Sequence, residues 1–217
     1  MTEERAAVLA AVAARIDALP GDRPARVAID GVTAAGKTTF ADELISYVRR
    51  PVLRATVDDF YRPSTERYAR GHGPESYYHE TFDLTSLRAL LLDPFAPEAD
   101  RRYRTASFDS YNDVAVDAPV RLAAANAALV LDGVFLLRPE LADVWDLSVF
   151  IAIDRAVALE RGIARDAWWL DGEGPARLRY ESRYVPGETL YLEDADPAAH
   201  ADVVIENTDP DRPRLLP

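Results

Sequence analysis

The sequence predicts an α/β fold, a three-layer α/β/α domain built on a parallel five-stranded sheet with a small hairpin insert and a helical lid. Five short apolar runs, separated by polar and periodic segments, indicate buried strands. Segments with helical periodicity lie between most of these runs, and strands that alternate with helices form a parallel sheet covered on both faces. A glycine-containing loop joins the first strand to its helix, which is typical of such folds.

Length and composition limit the classes of protein that fit. The 217 residues suit one domain, in which we assign residues 1–20 to an N-terminal helix, 58–120 to loops and a hairpin insert, and 160–190 to a lid region. The net charge of −12 argues against a general nucleic-acid or membrane binder, since both need basic surface. With no cysteine and only three histidines, thiolate and histidine metal sites are not expected.

The N-terminus has the pattern of an amphipathic helix. Val8, Val12, Ile16 and Leu19 recur at helical spacing. Acidic residues stand where a signal peptide has basic ones, and no apolar run approaches the ~20 residues needed to span a bilayer. We therefore expect a cytoplasmic protein.

The remaining elements follow in a regular order. Apolar runs predict strands at 25–30, 51–57, 127–133, 147–153 and 201–207, and helical periodicity predicts helices at 37–49, 84–93, 155–169 and 174–184. Residues 62–80 are rich in Arg, Gly, Tyr and Ser and are expected to form an extended loop. Aromatic and polar residues alternate over 101–120, which indicates a small hairpin.

The segment GVTAAGKT (31–38) matches the phosphate-loop pattern G-x-x-x-x-G-K-[ST], with a strand before it and a helix after it. Gly31 and Gly36 allow backbone N–H groups to turn inward and form an anion nest at a helix N-terminus. Lys37 is the only lysine in the chain, and a slim ammonium fits a tight loop where a planar guanidinium does not. We expect Lys37 to reach the β- and γ-phosphates of a nucleotide and the Thr38 hydroxyl to bind Mg²⁺. The competing interpretation is an ordinary glycine-containing turn.

Three classes of protein compete for such a loop: GTPase switches, motor-type ATPases and small-molecule kinases. A GTPase usually reads guanine with N-K-x-D, which needs a second lysine that this chain lacks. A motor ATPase usually has a long apolar strand that ends in paired acids, whereas LVLDG (129–133) ends in one Asp followed by Gly. A small-molecule kinase needs a base near the γ-phosphate, an acceptor pocket and a lid, and the chain offers candidates for all three.

The segment VDDFYRP (57–63) follows the second strand. Because ligands bind at the carboxyl ends of strands in an open α/β sheet, Asp58 and Asp59 are expected beside the phosphate loop. A carboxylate there can accept a hydroxyl proton or hold Mg²⁺ through water. We expect Asp58 to face the loop and Asp59 to point away, because side chains alternate in an extended segment. A solvated acidic turn or a helix cap is the competing interpretation.

Six segments occur in the order seen in uridine kinase-like proteins, a group related to phosphoribulokinase and bacterial pantothenate kinase. They are GVTAAGKTT (31–39), VDDFYR (57–62), FDL (82–84), LDGVFLL (131–137), RGIARD (161–166) and ADVVIENTDP (201–210). The chain therefore resembles these P-loop kinases over roughly residues 24–210. The resemblance implies ATP and Mg²⁺ as cofactors. It makes Asp58 the catalytic base and places Asp132 near Mg²⁺, so the predicted metal-binding residues are Thr38, Asp58 and Asp132.

The same resemblance assigns the lid and the nucleotide site. Arg161 and Arg165 correspond to lid arginines on the ATP phosphates, and Arg165 joins Lys37 and Asp58 as a catalytic residue; two solvated surface arginines are the competing interpretation. The turn after the last strand, which contains Asn207, corresponds to the adenine loop, and a plain surface turn competes with that assignment. The predicted cofactor-binding residues are Gly31, Thr33, Ala34, Ala35, Gly36, Lys37, Thr38, Thr39, Arg161, Arg165 and Asn207.

The acceptor side departs from the uridine kinase pattern. Tyr77 stands at the position of the Asp that holds the ribose hydroxyls in those kinases, and Phe108 stands at a base-reading position. Uridine is therefore expected to be a poor acceptor. The predicted acceptor-binding residues are Asp58, Tyr61, Arg62, Tyr77, His79, Phe108 and Arg183, and core packing is the competing fate of the aromatic ones.

The segment RLRYESRYVPGETLY (177–191) carries three arginines and three tyrosines. It is expected to cover the acceptor or to bring positive charge to an anionic substrate, and a helix with a solvated basic face is the competing interpretation.

Taken together, these features predict an ATP- and Mg²⁺-dependent phosphotransferase, uridine kinase-like, that phosphorylates a hydroxyl of a small molecule. One alternative is a kinase for another nucleoside, a sugar phosphate or a pantothenate-like alcohol. The other is a nucleotide-binding regulatory protein without useful turnover. The small-molecule acceptor is the only partner expected, and the oligomeric state is left open.

Overall fold

The computed structural model describes all residues 1–217, and a six-stranded sheet forms its centre. Two further pairs of short strands make up the insert. The strands are β1 (Ala25–Gly31), β2 (Val52–Thr56), β3 (Arg102–Tyr103), β4 (Phe108–Asp109), β5 (Val114–Ala115), β6 (Arg121–Leu122), β7 (Ala128–Gly133), β8 (Leu147–Ala152), β9 (Val203–Glu206) and β10 (Arg214–Leu216).

Nine α-helices surround this sheet, and none of them combines the length with the apolar composition that crossing a membrane requires. They are α1 (Glu3–Ala18), α2 (Lys37–Leu44), α3 (Ser64–Arg67), α4 (Pro74–Glu80), α5 (Leu84–Leu87), α6 (Arg155–Asp166), α7 (Glu173–Arg179), α8 (Val185–Ala195) and α9 (Pro197–His200). Shorter 3₁₀ turns occur at Val57–Phe60, Asp93–Phe95 and Pro139–Leu141, and π turns at Arg88–Leu92 and Tyr180–Tyr184.

The order of strands across the sheet is β10-β9-β8-β1-β7-β2. The five predicted strands run parallel, which confirms the parallel α/β sheet. In the register of the sheet, Asp132 at the end of β7 pairs with Ile29 of β1 on one side and Thr56 of β2 on the other. The carboxyl ends of β1, β7 and β2 therefore meet at one edge, and the segments that follow β1 and β2 start beside Asp132.

A sixth strand was not predicted. β10 pairs antiparallel with β9 and lies at the edge of the sheet. It is only three residues long and exposed throughout, so it leaves no apolar periodicity in the sequence.

Two separate apolar clusters show that helices cover both faces of the sheet. One cluster joins α1 and α2 to the sheet, and it includes the predicted apolar face of α1, with Val8, Val12 and Ile16 buried. The other contains Phe60, Phe135 and aromatic residues of α4 and α8. The three layers predicted from the sequence are therefore present.

The helix predicted at 155–169 ends at Asp166, and the one predicted at 84–93 is α5 continued by a π turn. Three further stretches differ from the prediction. Residues 62–80 contain α3 and α4 instead of an extended loop, because Pro74 occupies the first turn of α4 and the aromatic rings of Tyr77 and Tyr78 are buried. The helix after Lys37 ends at Leu44, five residues early. The helix predicted at 174–184 instead continues as α7, a π turn and α8 to Ala195.

The hairpin predicted over 101–120 is confirmed as two nested antiparallel pairs, β3 with β6 and β4 with β5. It is tied to the segment after β2, where the Ser107 amide donates a 2.9 Å hydrogen bond to the carbonyl of Asp59. The insert is therefore held beside the carboxyl end of β2.

Candidate active site

The phosphate loop connects β1 to α2 and depends on two glycines. Gly36 has a φ of 90°, and a Cβ there would lie 2.9 Å from Asn207 Nδ2. A Cβ on Gly31 would lie 2.6 Å from the carbonyl oxygen of Ile151. Side chains at either position would push the loop away from the neighbouring strands.

The side chain of Lys37 is buried inside this loop. Its Nζ donates a 2.8 Å hydrogen bond to the carbonyl of Val32. Burial lowers the pKa of Lys37, while the carboxylates of Asp30 and Glu188 oppose that shift. The ammonium is therefore held at the centre of the loop.

Asn207 and Arg161 stabilise the phosphate loop and the segment after β9 from outside the cleft. Asn207 Nδ2 donates to the carbonyl of Ala35 at 2.8 Å, and Arg161 donates from Nη2 to the carbonyl of Thr208 at 2.7 Å. Arg161 was predicted to lie on the ATP phosphates, and Asn207 in an adenine loop. In the structure neither residue lines the cleft, because both are engaged in joining α6 and the end of β9 to the loop.

Thr38 and Asp132 come together at the edge where β1 and β7 end. The Thr38 hydroxyl donates to Asp132 Oδ2 at 2.6 Å. The other carboxylate oxygen, Oδ1, is buried and accepts no well-aligned hydrogen bond, although Arg54 Nη1 lies 2.8 Å away. This pair presents the oxygen ligands that a hard divalent cation prefers.

Asp58 and Asp59 lie in the 3₁₀ turn Val57–Phe60, not in the extended segment that was expected. Asp58 lines the cleft and Asp59 does not, so the two side chains point in different directions as predicted. The reason is the geometry of the 3₁₀ turn, not the alternation of side chains along an extended segment. Desolvation within the cleft raises the pKa of Asp58 to about 6, with Lys37 lowering it and Asp132 raising it further, although Asp58 keeps solvent-exposed surface. A carboxylate with this pKa is largely ionised at neutral pH and readily accepts a proton.

One cleft of about 580 Å³ collects these groups. It extends from the phosphate loop to the lid region and the hairpin. Ten of the predicted site residues line it, namely Thr33, Ala34, Lys37, Thr38, Asp58, Tyr61, Tyr77, Asp132, Arg165 and Arg183.

Three predicted acceptor residues lie outside this cleft. Arg62 donates to the carbonyl of Phe82 at 3.1 Å and pairs with Glu80. His79 is half-exposed and faces Glu75 on its own helix. Phe108 is buried in the hairpin, so its ring packs there instead of facing a ligand.

The other predicted loop residues take part through the backbone. Gly31, Ala35 and Gly36 shape the turn without lining the cleft, and Thr39 is exposed on the first turn of α2.

Arg165 is the predicted lid arginine that lines the cleft. It donates to Asp166 from Nε at 2.7 Å, and the Tyr180 hydroxyl donates to the same carboxylate at 2.6 Å. Gly162 allows this arrangement, because a Cβ there would lie 2.3 Å from the Tyr180 ring. The lid helix is therefore packed directly on the π turn that follows α7.

Sequence reasoning missed two buried carboxylates at the loop. Glu188 of α8 accepts a 2.6 Å hydrogen bond from the backbone amide of Thr33. Asp30 accepts from the Gly31 amide at 2.8 Å and from the hydroxyl of Tyr191. Neither acid belongs to the phosphate-loop pattern, and Glu188 is separated from Thr33 by 155 positions, so no local signal marks it.

Comparisons with known proteins agree with this architecture. No family model matches the chain. A possible uridine kinase from Bacillus stearothermophilus is similar in structure, with a TM-score of 0.71 at 24% identity over 90% of this chain and 96% of that one. A candidate fructose transport system kinase from Silicibacter sp. TM1040 gives 0.68 at 23% identity over 93% and 95%.

A D-glycerate 3-kinase from Cryptococcus neoformans gives a TM-score of 0.59 at 11% identity over 88% of this chain and 87% of that one. These likenesses extend over nearly the whole of each chain. They confirm the fold expected from the six sequence segments, that of the uridine kinase-like P-loop kinases.

Proposed function

We propose that this chain, which has the fold of the uridine kinase-like P-loop kinases, is an ATP- and Mg²⁺-dependent phosphotransferase acting on a hydroxyl of a small molecule. One observation carries the proposal: Lys37, Thr38, Asp58 and Asp132 line a single cleft at the carboxyl ends of β1, β2 and β7. An anion nest, a cation, an oxygen-donor pair and a carboxylate base in one cleft are the parts that phosphoryl transfer needs.

Mg²⁺ fits the oxygen donors at this edge. Thr38 Oγ1 and the carboxylate of Asp132 would hold it, with Asp58 acting through water. The 2.6 Å contact between Thr38 Oγ1 and Asp132 Oδ2 supports this assignment, because it already brings two oxygen donors together at the cleft. Mg²⁺ bound there would neutralise negative charge on the phosphoryl group that is transferred.

Asp58 orients and deprotonates the acceptor in this proposal. The hydroxyl oxygen attacks the γ-phosphorus while the bond to the bridging oxygen breaks, ADP leaves with that electron pair, and the hydroxyl proton passes to Asp58. Lys37 and Arg165 stabilise the negative charge that shifts toward the leaving oxygen.

We further propose that uridine is a poor acceptor. The Tyr77 hydroxyl is hydrogen-bonded to Thr33 Oγ1 at 3.1 Å, and Phe108 is buried in the hairpin. A site without a carboxylate for the ribose hydroxyls discriminates against ribosides.

The test is Mg²⁺-dependent ATP consumption, with mass analysis of products, over nucleosides, sugars, sugar phosphates and hydroxy acids. The proposal expects at least one acceptor to yield a phosphorylated product, and Lys37→Ala to abolish most of that turnover. Product formation that persists in Lys37→Ala at the wild-type rate would refute it, as would ATP binding with no turnover on any acceptor.

A further inference from the structure

The cleft contains a buried arginine that has no acidic partner. Four arginines of the chain are buried, and three of them pair with carboxylates: Arg5 with Glu43, Arg26 with Asp146 and Arg138 with Glu140. The fourth, Arg183, is 3% exposed and has no carboxylate within 4 Å. In a chain with 37 acidic residues, this lack of a partner is a specific local arrangement.

The hydrogen-bond partners and aromatic neighbours of Arg183 are neutral. Its Nη1 donates to Ser76 Oγ at 2.6 Å and to the carbonyl of Gly73 at 3.1 Å. The guanidinium also lies 5.1 Å from the ring centre of Tyr68 and 5.4 Å from that of Tyr77. A guanidinium remains charged when buried, and a buried charge without a counter-ion is costly.

Two more arginines face the same space. Arg179 is half-buried, has no carboxylate partner and donates from Nε to the Tyr184 hydroxyl at 3.4 Å. Arg67 pairs with Asp113 at 3.1 Å, but its Nε is buried without a hydrogen-bond partner. Its guanidinium lies 5.4 Å from the centre of the Tyr68 ring, the ring that Arg183 also contacts.

This arginine cluster, formed by Arg67, Arg179 and Arg183, belongs to the acceptor end of the cleft. All three line the cleft, and Arg67 also lies 4.9 Å from the ring centre of Tyr61, three residues after Asp58. The hydrogen-bond partners of Arg183 belong to α4 and the residue before it, and the partner of Arg67, Asp113, lies in the hairpin between β4 and β5.

We infer that the acceptor carries a phosphate monoester in addition to the hydroxyl that is phosphorylated, as in a sugar or polyol monophosphate; this inference rests on the proposed kinase function. Asp113 offsets one guanidinium of the arginine cluster, which leaves two positive charges without a counter-ion. A phosphate monoester carries about −1.5 to −2 at pH 7, which matches them. Planar guanidinium donors also suit phosphate oxygens, which they bind in pairs.

The first experiment compares acceptor classes at saturating Mg²⁺-ATP: pentose and hexose monophosphates, the same sugars without phosphate, nucleosides, and three- and four-carbon hydroxy acids. We expect kcat/KM for the best monophosphate to exceed that of its free sugar by more than about 100-fold, the combined effect of two charge-assisted contacts. Equal or better turnover of a free sugar, a nucleoside or a hydroxy acid overturns the inference and leaves the proposed kinase function standing.

The second experiment locates the phosphate. Arg179→Gln and Arg183→Gln should each raise the acceptor KM by about 10- to 100-fold and leave the KM for ATP nearly unchanged. The matched control is Arg177→Gln, because Arg177 lies on the same helix as Arg179, is partly exposed and pairs with Glu160. A raised KM for ATP with an unchanged acceptor KM would assign the arginine cluster to the nucleotide and overturn the inference.

A binding measurement keeps the inference testable without turnover. The sugar monophosphates should raise the melting temperature of the wild type in the absence of ATP, and this shift should be lost in Arg179→Gln. If ATP is not consumed with any acceptor, the proposed kinase function fails. If the sugar monophosphates also give no thermal shift, the assignment of the arginine cluster as a phosphate site fails as well. If Arg183→Gln does not fold, Arg179→Gln decides, because its side chain is only half-buried.

Discussion

The carboxylate of Glu188 accepts a 2.6 Å hydrogen bond from the backbone amide of Thr33, so an acidic side chain of α8 occupies one donor of the phosphate loop. Burial raises the pKa of Glu188, while the hydrogen bond to Thr33 and the charge of Lys37 oppose that shift. In the ionised form, Glu188 balances the buried ammonium but adds negative charge where a nucleotide must place its phosphates.

Glu188→Gln should therefore strengthen ATP binding and, above the pKa of Glu188, stabilise the protein without nucleotide. The amide oxygen keeps the acceptor for Thr33 and removes the charge that repels phosphate, and we expect a roughly tenfold lower Kd for Mg²⁺-ATP. The melting temperature without ligand should rise at pH 8, because the raised pKa of Glu188 means that the fold disfavours its ionised form. Glu193→Gln, an exposed change on the same helix, is the control for both titration and melting. Weaker ATP binding by Glu188→Gln would show that the carboxylate supports the nucleotide site instead.

The two acids after β2 should differ sharply in their effect on rate. Asp58→Asn should lower turnover by ~10²–10⁴-fold, the usual loss on removal of a general base, while Mg²⁺-ATP still binds. Asp59→Asn should change turnover little, because Asp59 does not line the cleft. Steady-state rates and ATP titrations on both variants check this, and equal losses would remove the assignment of Asp58 as the sole base.

Activity should depend on pH through Asp58. Because the pKa of Asp58 is raised to about 6 and the base acts when deprotonated, kcat/KM for the acceptor should fall about tenfold for each pH unit below 6. A profile that stays flat between pH 5 and pH 7 would assign the proton transfer elsewhere.

The raised pKa of Asp58 should also make stability depend on pH, but stability should fall as pH rises whereas activity should increase. Between about pH 4, near the pKa of Asp58 in the unfolded chain, and about pH 6, its pKa in the folded protein, the folded protein binds more protons at Asp58 than the unfolded chain does. The stability that this group contributes therefore falls as pH rises through that window. Asp58→Asn should therefore melt at a higher temperature than wild type at pH 8, with the difference shrinking at pH 4. Melting curves at both pH values test this, and a variant destabilised equally at both contradicts it.

The nucleotide base should be adenine. The chain's single lysine, Lys37, is already committed to the phosphate loop, so no N-K-x-D guanine motif can form. Thermal-shift titrations with Mg²⁺ should give a larger stabilisation by ATP than by GTP, and Lys37→Ala should reduce both. A clear preference for GTP would refute the assignment.

What the sequence could predict was local. The phosphate loop and Asp58 each follow an apolar strand, and the rule that ligands gather at the carboxyl ends of strands places them at the same edge with Asp132. Glu188 and the partnerless Arg183 depend on contacts between segments more than 100 positions apart, which no periodicity or motif encodes. α4 was missed because the segment before it contains Gly71 and Gly73 and has loop composition, whereas burial of Tyr77 and Tyr78 decides its structure.

Residues 173–195 form one continuous helical run, α7, the π turn and α8, and this run contacts both α4 and the phosphate loop. Arg183 holds the acceptor-side helix α4, and Glu188 holds the phosphate loop. A ligand that draws Arg183 toward itself therefore acts on the same element that engages Thr33. Thermodynamic linkage then requires reciprocity: whatever factor acceptor binding imposes on the affinity for nucleotide, nucleotide binding must impose on the affinity for acceptor.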